Sequence, residues 1–198
     1  QVATPEGYAR NPELVINFYN ERRKQLLEVR PNDGHLGLAE LEADFNVTVV
    51  TQNIDNLHER AGSRRIIHLH GELTKVCSSR DPYNPHYIKE LKPDEYEVKF
   101  GDKAGDGTQL RPFIVWFGEP VPEIETAVNY VEKADIFVII GTSMNVYPAA
   151  GLLNYVPREA EVYLIDPKPV DVHSTRRIHI IQKGASEGVQ ELRSLLKP

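Results

Sequence analysis

Residues 136–143 read IFVIIGTS, a continuous apolar run followed by a glycine and two small hydroxyl residues. A short apolar run that is rich in β-branched residues and ends in a turn predicts a buried strand. A second run of this kind, EVYLI, follows at 161–165, after a stretch around 148–155 that predicts a helix. A strand, a helix and a further strand in this order predict parallel neighbours in one sheet.

The same alternation extends toward both ends of the chain. Further strands are predicted at 47–51, 66–70, 113–117 and 178–181. Helices are predicted behind an Asn11 cap from 12 to about 30, and at about 34–44, 55–60, 123–133 and 186–196. We therefore predict an α/β fold, a Rossmann-like parallel sheet with helices on both faces.

Residues 74–110 interrupt this rhythm, because their aromatic and apolar residues follow no clear period. A long irregular stretch between two strands is usually functional or mobile. We expect a small inserted module at 74–110, and a Rossmann-like domain built from 1–73 and 111–198.

Composition and charge argue against several classes of protein. Lys and Arg number 23 against 29 Asp and Glu, so the formal net charge is −6, whereas nucleic-acid and anionic-membrane binders usually carry a basic field. The single cysteine, Cys77, rules out a disulfide within the chain, and no apolar run is long enough to span a bilayer. Since the first residues do not read as a signal peptide, we expect a cytoplasmic enzyme.

Polar residues cluster where four predicted strands end, at 51–55, 70–72, 115–119 and 141–143. Ligands of α/β sheets gather at the carboxyl ends of the strands. Each cluster alone also has a structural explanation. Residues 141–143 could form an ordinary turn, Asp55 or Asn56 could cap a helix, and His70 could be a half-buried histidine with satisfied hydrogen bonds.

Taken together, the clusters resemble the sirtuin family, with TQNIDNLH at 51–58, HGE at 70–72, VWFGE at 115–119 and GTS at 141–143. The resemblance extends from Ala3-Thr4-Pro5 to the last helix. It implies an NAD-dependent protein lysine deacylase, a transferase that produces nicotinamide, O-acyl-ADP-ribose and free lysine. It also implies NAD as the cofactor and acylated lysine side chains of other proteins as partners, with neither nucleic acid nor membrane.

The resemblance assigns His70 as the catalytic base, and the pKa range of histidine suits proton transfer near neutral pH. Asn53 and Asp55 match the pocket for the nicotinamide carboxamide, which can bind one donor-acceptor group and one acceptor. Gln52 matches a residue that contacts ribose, and Ile54 belongs to the same NAD-binding loop.

The resemblance also assigns small residues to the NAD phosphate and ribose, namely Gly141, Thr142 and Ser143. Either Ile165 or Asp166 aligns with a residue that contacts the adenosine ribose. We prefer Asp166, because a carboxylate can accept hydrogen bonds from two hydroxyl groups. The turn at 184–186 resembles one that contacts adenine, through the backbone of Ala185.

A substrate peptide is expected to lie as an added strand between 115–119 and 144–147, which leaves backbone hydrogen bonds to provide binding. The residues assigned to it are Val115, Phe117, Gly118, Glu119 and Val146. Tyr19 and Arg22 lie three residues apart on one predicted helix and resemble the pair in class III sirtuins that remove succinyl and malonyl groups. An amphipathic helix with a buried Tyr19 and a solvated Arg22 is the alternative.

The sequence departs from the family at two places. Sirtuins usually carry two Cys-x-x-Cys pairs that bind structural zinc, but here Cys77 stands alone and Arg80 takes its partner's place, so we expect no zinc. The family's first strand and Gly-Ala-Gly-x-Ser loop would precede Gln1, so we expect the chain to be incomplete relative to the natural protein. An NAD- or ADP-ribose-binding module without turnover, and a protein ADP-ribosyltransferase of the same family, stay open as alternatives.

Overall fold

A computed structural model describes residues 2–141, 149–172 and 174–197. The chain forms two compact units. The first unit comprises residues 1–30, 51–56 and 68–122, and the second unit comprises 31–50, 57–67 and 123–198. The predicted division into a Rossmann-like domain and a module at 74–110 stays a prediction.

The helices are α1 (Pro5–Arg10), α2 (Pro12–Glu28), α3 (Asp33–Glu40), α4 (Leu57–Ala61), α5 (Ile124–Val131) and α6 (Ala185–Leu196). The strands are β1 (Val49–Thr51), β2 (Ile66–His68), β3 (Gly71–Ser78), β4 (Lys89–Glu90), β5 (Leu110–Ile114), β6 (Ile136–Ile140), β7 (Glu161–Ile165) and β8 (His179–Ile181). Short 3₁₀ helices cover Leu41–Ala43, Pro85–Tyr87, Pro93–Glu95 and Ala149–Tyr155. Within the described residues, no helix combines the length and apolar character that crossing a membrane requires.

The second unit contains a parallel sheet in the order β6-β7-β8. The strands predicted at 136–140 and 161–165 are confirmed at those bounds, and so is the α/β fold class. Helix α6 packs closely on β7, because a Cβ added at Gly188 would lie 2.3 Å from Ile165 Cγ2. The buried core between these elements consists of Leu41, Tyr163, Ile165, Ile181, Val189 and Leu192.

The first unit contains an antiparallel sheet in the order β4-β3-β5. This sheet corrects two predictions. The strand predicted at 113–117 ends at Ile114 and is antiparallel to β3, so it does not belong to a parallel sheet. The region predicted to be irregular from Thr74 onward continues β3 as far as Ser78.

Helix α2 holds the 74–110 region in place within the first unit. Its predicted cap is confirmed, since Asn11 Oδ1 accepts a hydrogen bond from Leu14 N. The buried Asn20 amide binds both backbone groups of Val98, at 2.8 and 2.9 Å, and Arg23 Nε donates to Tyr96 O. An apolar cluster of Ile16, Val76 and Val98, with Tyr8, Leu91 and Leu110 packed against it, lies beside these bonds. Leu91 and Val98 thus pack the 74–110 region against α2.

Candidate active site

His70 lies in the tight turn between β2 and β3 and is half-buried. Its backbone carbonyl accepts a hydrogen bond from Val115 N at 2.9 Å. Gly71, the next residue, has φ +89° and pairs with Ile114 across β3 and β5. A side chain at Gly71 would meet Phe113 O at 2.1 Å, so only glycine fits. The proposed base is therefore bound through its backbone to the segment expected to bind the substrate.

The loop 52–55 is anchored beside the same turn. Leu69 N donates to Thr51 O at 3.0 Å, and Leu73 N donates to Ile54 O at 2.8 Å. Asn53 N donates to the Thr51 hydroxyl at 3.0 Å. The Asn53 residue is exposed, whereas Gln52, Ile54 and Asp55 are partly buried. The structure thus brings the predicted nicotinamide-binding residues and His70 together in the first unit.

His68 contacts the candidate site, and the sequence analysis assigned it no role. It is buried, and its Nδ1 lies 3.1 Å from Asn53 O. Because a carbonyl oxygen can only accept, Nδ1 carries the proton in this bond. Its Nε2 lies 3.9 Å from Glu72 Oε1, and Glu72 in turn binds Lys75 at 2.8 Å. The alternation of histidines in His68-Leu69-His70 is the signal in the sequence that could have identified it.

Residues 115–119 form a closed turn, where the sequence predicted a strand. Trp116 N donates to Glu119 Oε1 at 2.8 Å, and Glu119 N donates to Trp116 O at 3.0 Å. Phe117 N donates to Ala3 O at 3.1 Å. Gly118 has φ +90°, and the Phe117 residue at the tip of the turn is 79% exposed. Val115, Phe117, Gly118 and Glu119 therefore share one turn, and most of their N–H groups are already bound within the first unit. Their assignment to the substrate stays a prediction.

Arg111 contacts this turn through Glu119 and Trp116, and it was not predicted as a site residue. It is only 4% exposed, and its guanidinium makes two hydrogen bonds to the Glu119 carboxylate, at 3.1 and 3.2 Å. The guanidinium carbon also lies 3.9 Å from the centre of the Trp116 ring. Arg111 Nη2 donates to Ile114 O at 2.7 Å. A buried charge pair with this many partners holds the turn in one geometry.

Tyr19 and Arg22 occupy different environments on α2. The Tyr19 residue is 4% exposed, and its hydroxyl lies 3.0 Å from Trp116 Nε1. Burial raises the pKa of Tyr19, against the opposing effects of the Trp116 hydrogen bond and of the Arg111 and Arg22 charges. The phenol therefore keeps its proton at neutral pH. Arg22 is exposed.

In the second unit, three of the remaining predicted cofactor residues are described, and they lie at carboxyl ends of strands or at a helix start. Gly141 follows β6 with φ +63°, and a Cβ built on it meets nothing within 4 Å. Asp166 follows β7, and its carboxylate accepts from Lys168 N at 2.9 Å. Ala185 is the first residue of α6. Open backbone, a carboxylate and a helix N-terminus suit a phosphate and a ribose. The predicted residues Thr142, Ser143 and Val146 lie outside the described residues.

Cys77, where the family's first zinc cysteine would stand, is buried in β3. Its Sγ donates to Pro112 O at 3.7 Å, and burial raises the pKa of the thiol to about 12. The adjacent Ser78 hydroxyl instead binds the Asp106 carboxylate, and it accepts from Arg80 N at 3.0 Å. The residues present do not fit a tetrahedral zinc site, and the absence of zinc stays a prediction.

A comparison with models of protein families shows to which family this chain belongs. The Sir2 family model matches residues 1–148. This chain belongs to the Sir2 family. An NAD-dependent protein deacylase of Bacteroides thetaiotaomicron is 83% identical over 198 residues, which are 100% of this chain and 85% of that protein. An NAD-dependent protein deacylase of Helicobacter pylori (strain ATCC 700392 / 26695) is 48% identical over 192 residues, which are 97% of this chain and 81% of that protein.

Solved Sir2 structures have the same fold as this Sir2-family chain. The crystal structure of a Sir2 homolog–NAD complex matches with a TM-score of 0.81 and 33% identity, covering 99% of this chain and 78% of that chain. A Sir2–p53 peptide–NAD⁺ structure matches with a TM-score of 0.79 and 25% identity, covering 98% and 82%. These matches confirm the predicted family and fold.

Proposed function

We propose that this protein is an NAD-dependent protein lysine deacylase, which converts NAD, an acyl-lysine and one water molecule into nicotinamide, O-acyl-ADP-ribose and free lysine. Its family and the names of its relatives support the reaction. The observation that carries the proposal is the position of His70, which lies beside the loop 52–55 and is bound through its carbonyl to Val115 at 2.9 Å. The candidate base, the loop 52–55 and the turn at 115–119 thus lie close together in the first unit, which supports the proposal.

Different residues carry out proton transfer and the binding of each part of NAD. Bound NAD supplies the ribose carbon and hydroxyl groups to which the acyl group is transferred. The neutral imidazole of His70 accepts a proton from a ribose hydroxyl, as a general base does. Asn53 and Asp55 hold the carboxamide of nicotinamide, and Gln52 contacts the ribose. Gly141, Asp166 and Ala185 bind the phosphate and adenosine parts, with Thr142 and Ser143.

The substrate is an acyl-lysine of another protein, and its backbone lies along residues 115–118. Within the described residues, the N–H groups of Val115, Trp116 and Phe117 are engaged, so the peptide binds chiefly to the carbonyls of Val115 and Phe117 and to Gly118 N–H. Backbone contacts of this kind bind many sequences. The net charge of −6 has the wrong sign for a binder of nucleic acids or anionic membranes, which supports proteins as the partners. We also propose a cytoplasmic location.

Replacing His70 tests the reaction. His70→Ala should lower the rate of deacylation by about 10²- to 10⁴-fold, because the ribose hydroxyl loses its base. The measurement follows nicotinamide and deacylated peptide together, with NAD and an acetyl-lysine peptide as substrates. His86→Ala, at an exposed histidine in a 3₁₀ helix, is the matched control and should keep the wild-type rate. A normal rate in His70→Ala would refute the base, and NAD binding without any nicotinamide release would indicate a binding module.

We further propose that the enzyme removes succinyl and malonyl groups, through Tyr19 and Arg22. A guanidinium can bind both oxygens of an acyl carboxylate, and the Tyr19 hydroxyl can donate to it. The protonated, buried Tyr19 and the exposed Arg22, whose charge acts on Tyr19, support this role.

Arg22→Met tests the acidic-acyl activity. The ratio of kcat/KM for a succinylated to an acetylated peptide should fall about 10- to 150-fold, the equivalent of one charge-assisted hydrogen bond. Lys24→Met removes a like charge from the same helix and should leave the ratio unchanged. Equal losses on both peptides would show that Arg22 is structural.

A further inference from the structure

The hydrogen bond between Trp116 and Tyr19 joins the two parts of the proposed substrate site. An indole Nε1–H can only donate, so the Tyr19 hydroxyl is the acceptor in this 3.0 Å contact. The two residues are 2% and 4% exposed, which leaves little water to compete for either group. A phenol that accepts from Trp116 must direct its own proton away from the indole.

The indole itself is held on two sides. The Arg111 guanidinium lies 3.9 Å from the centre of the Trp116 ring, and the Tyr8 ring lies 5.3 Å from it. Arg111 is fixed in turn by two bonds to Glu119, which also accepts from Trp116 N. The direction of the indole N–H is therefore determined by the same turn that presents Phe117.

We propose that Trp116 is a positioning residue for acyl selectivity, whose indole N–H orients the Tyr19 hydroxyl as a hydrogen-bond donor toward an acyl carboxylate. This inference rests on the proposed activity toward acidic acyl groups. An acetyl group has no carboxylate to accept that proton. The Trp116 hydrogen bond therefore contributes to the succinylated substrate and not to the acetylated one.

Trp116→Phe tests the proposal, because phenylalanine keeps an aromatic ring against Arg111 and Tyr8 but lacks the N–H. In the full chain with saturating NAD, the ratio of kcat/KM for succinylated to acetylated peptide should fall about 2- to 12-fold, the range of one neutral hydrogen bond. In a Tyr19→Phe background the same substitution should change the ratio no further. Tyr8→Phe, which removes a hydroxyl bound to Ser79 instead, is the matched control and should keep the wild-type ratio.

The single tryptophan of the chain provides a second measurement that does not require Trp116→Phe to fold. Succinylated peptide should shift the emission of Trp116 more than acetylated peptide, and Tyr19→Phe should abolish this difference. An unchanged ratio in Trp116→Phe, equal losses on both peptides, or equal emission shifts would overturn the proposal. If Arg22→Met and Tyr19→Phe also leave the ratio unchanged, the proposed binding of acidic acyl groups by these two residues fails as well; if both lower it, only the role of Trp116 fails.

Discussion

Gly71→Ala should destabilise the protein in two ways, through the positive φ at this position and through a collision of the new Cβ with β5. Both effects act beside the proposed base, His70. Gly71 has φ +89°, and an added Cβ would lie 2.1 Å from Phe113 O and 2.9 Å from Ile114 Cα. Gly107 has a similar φ of +83°, but a Cβ built on it meets nothing within 4 Å. Gly107→Ala is therefore a matched control, which carries the conformational cost without the collision.

The left-handed conformation costs an alanine about 1–2 kcal/mol at either position. At Gly71 the colliding atoms are backbone of β5, so the two strands must separate by about 1 Å, at a further ~1–3 kcal/mol by analogy with overpacking. An excess of about 2 kcal/mol over the control corresponds to a difference in Tm of roughly 4–8 °C for a chain of this size. The same separation lengthens the bond from Val115 N to His70 O, so deacylation should fall together with stability.

Urea unfolding followed by Trp116 emission measures the two free energies, because the only tryptophan lies in the first unit beside β5. Steady-state deacylation of an acetylated peptide gives the accompanying change in kcat/KM. If Gly71→Ala and Gly107→Ala lose the same free energy of unfolding, the close approach of β3 and β5 is not the constraint on Gly71, and the reasoning is refuted.

Three further predictions concern the 74–110 region. The Cys77 thiol, with a pKa of about 12 because of burial, should not react with a disulfide reagent at pH 8 in the native protein, and one thiol should react after denaturation. Elemental analysis should find no stoichiometric zinc, and a chelator should leave Tm unchanged; one zinc per chain would contradict this. Hydrogen bonds from Ser78 and Thr108 lower the pKa of Asp106 from 3.8 to about 2. Its contribution to stability should therefore be complete above pH 3.8 and lost as pH falls toward 2, and Asp106→Asn should remove that part of the pH dependence.

The sequence predicted the second unit better than the first. Strands β6 and β7 are apolar, β-branched runs ended by turns, and their bounds follow from that pattern alone. The run at 113–117 is equally apolar, yet the strand ends at Ile114. The reason is that the Glu119 carboxylate binds Trp116 N and closes a turn there. The pattern of apolar residues predicts a strand, but it does not show which backbone N–H group forms a hydrogen bond with a nearby side chain and so ends that strand.

The candidate site shows the same division. His70 and the loop 52–55 could be proposed from the sequence because motifs at strand ends are local in sequence, and their roles stay predictions. The hydrogen bond between Trp116 and Tyr19 joins residues 97 positions apart. Nothing in the sequence around either residue indicates this partner. Arg111 was missed because it belongs to no sequence motif, and an arginine followed by a proline does not by itself predict a buried position. Its role depends on burial and on the Glu119 carboxylate, which only the folded chain brings together.

The pairing of β3 with β5 also affects which changes of length the chain between these two strands can tolerate. After Ser78 the chain returns to the sheet first at β4, which pairs with β3, and then at Leu110, which pairs with Ser78. For a loop closed in this way, doubling its length costs only about 0.6 kcal/mol of closure entropy. Residues 79–88, between β3 and β4, can therefore change in length at little closure cost, whereas Tyr96 and Val98 must stay where α2 binds them. The hydrogen bond between Val115 N and His70 O lies outside this loop, so such changes leave it in place.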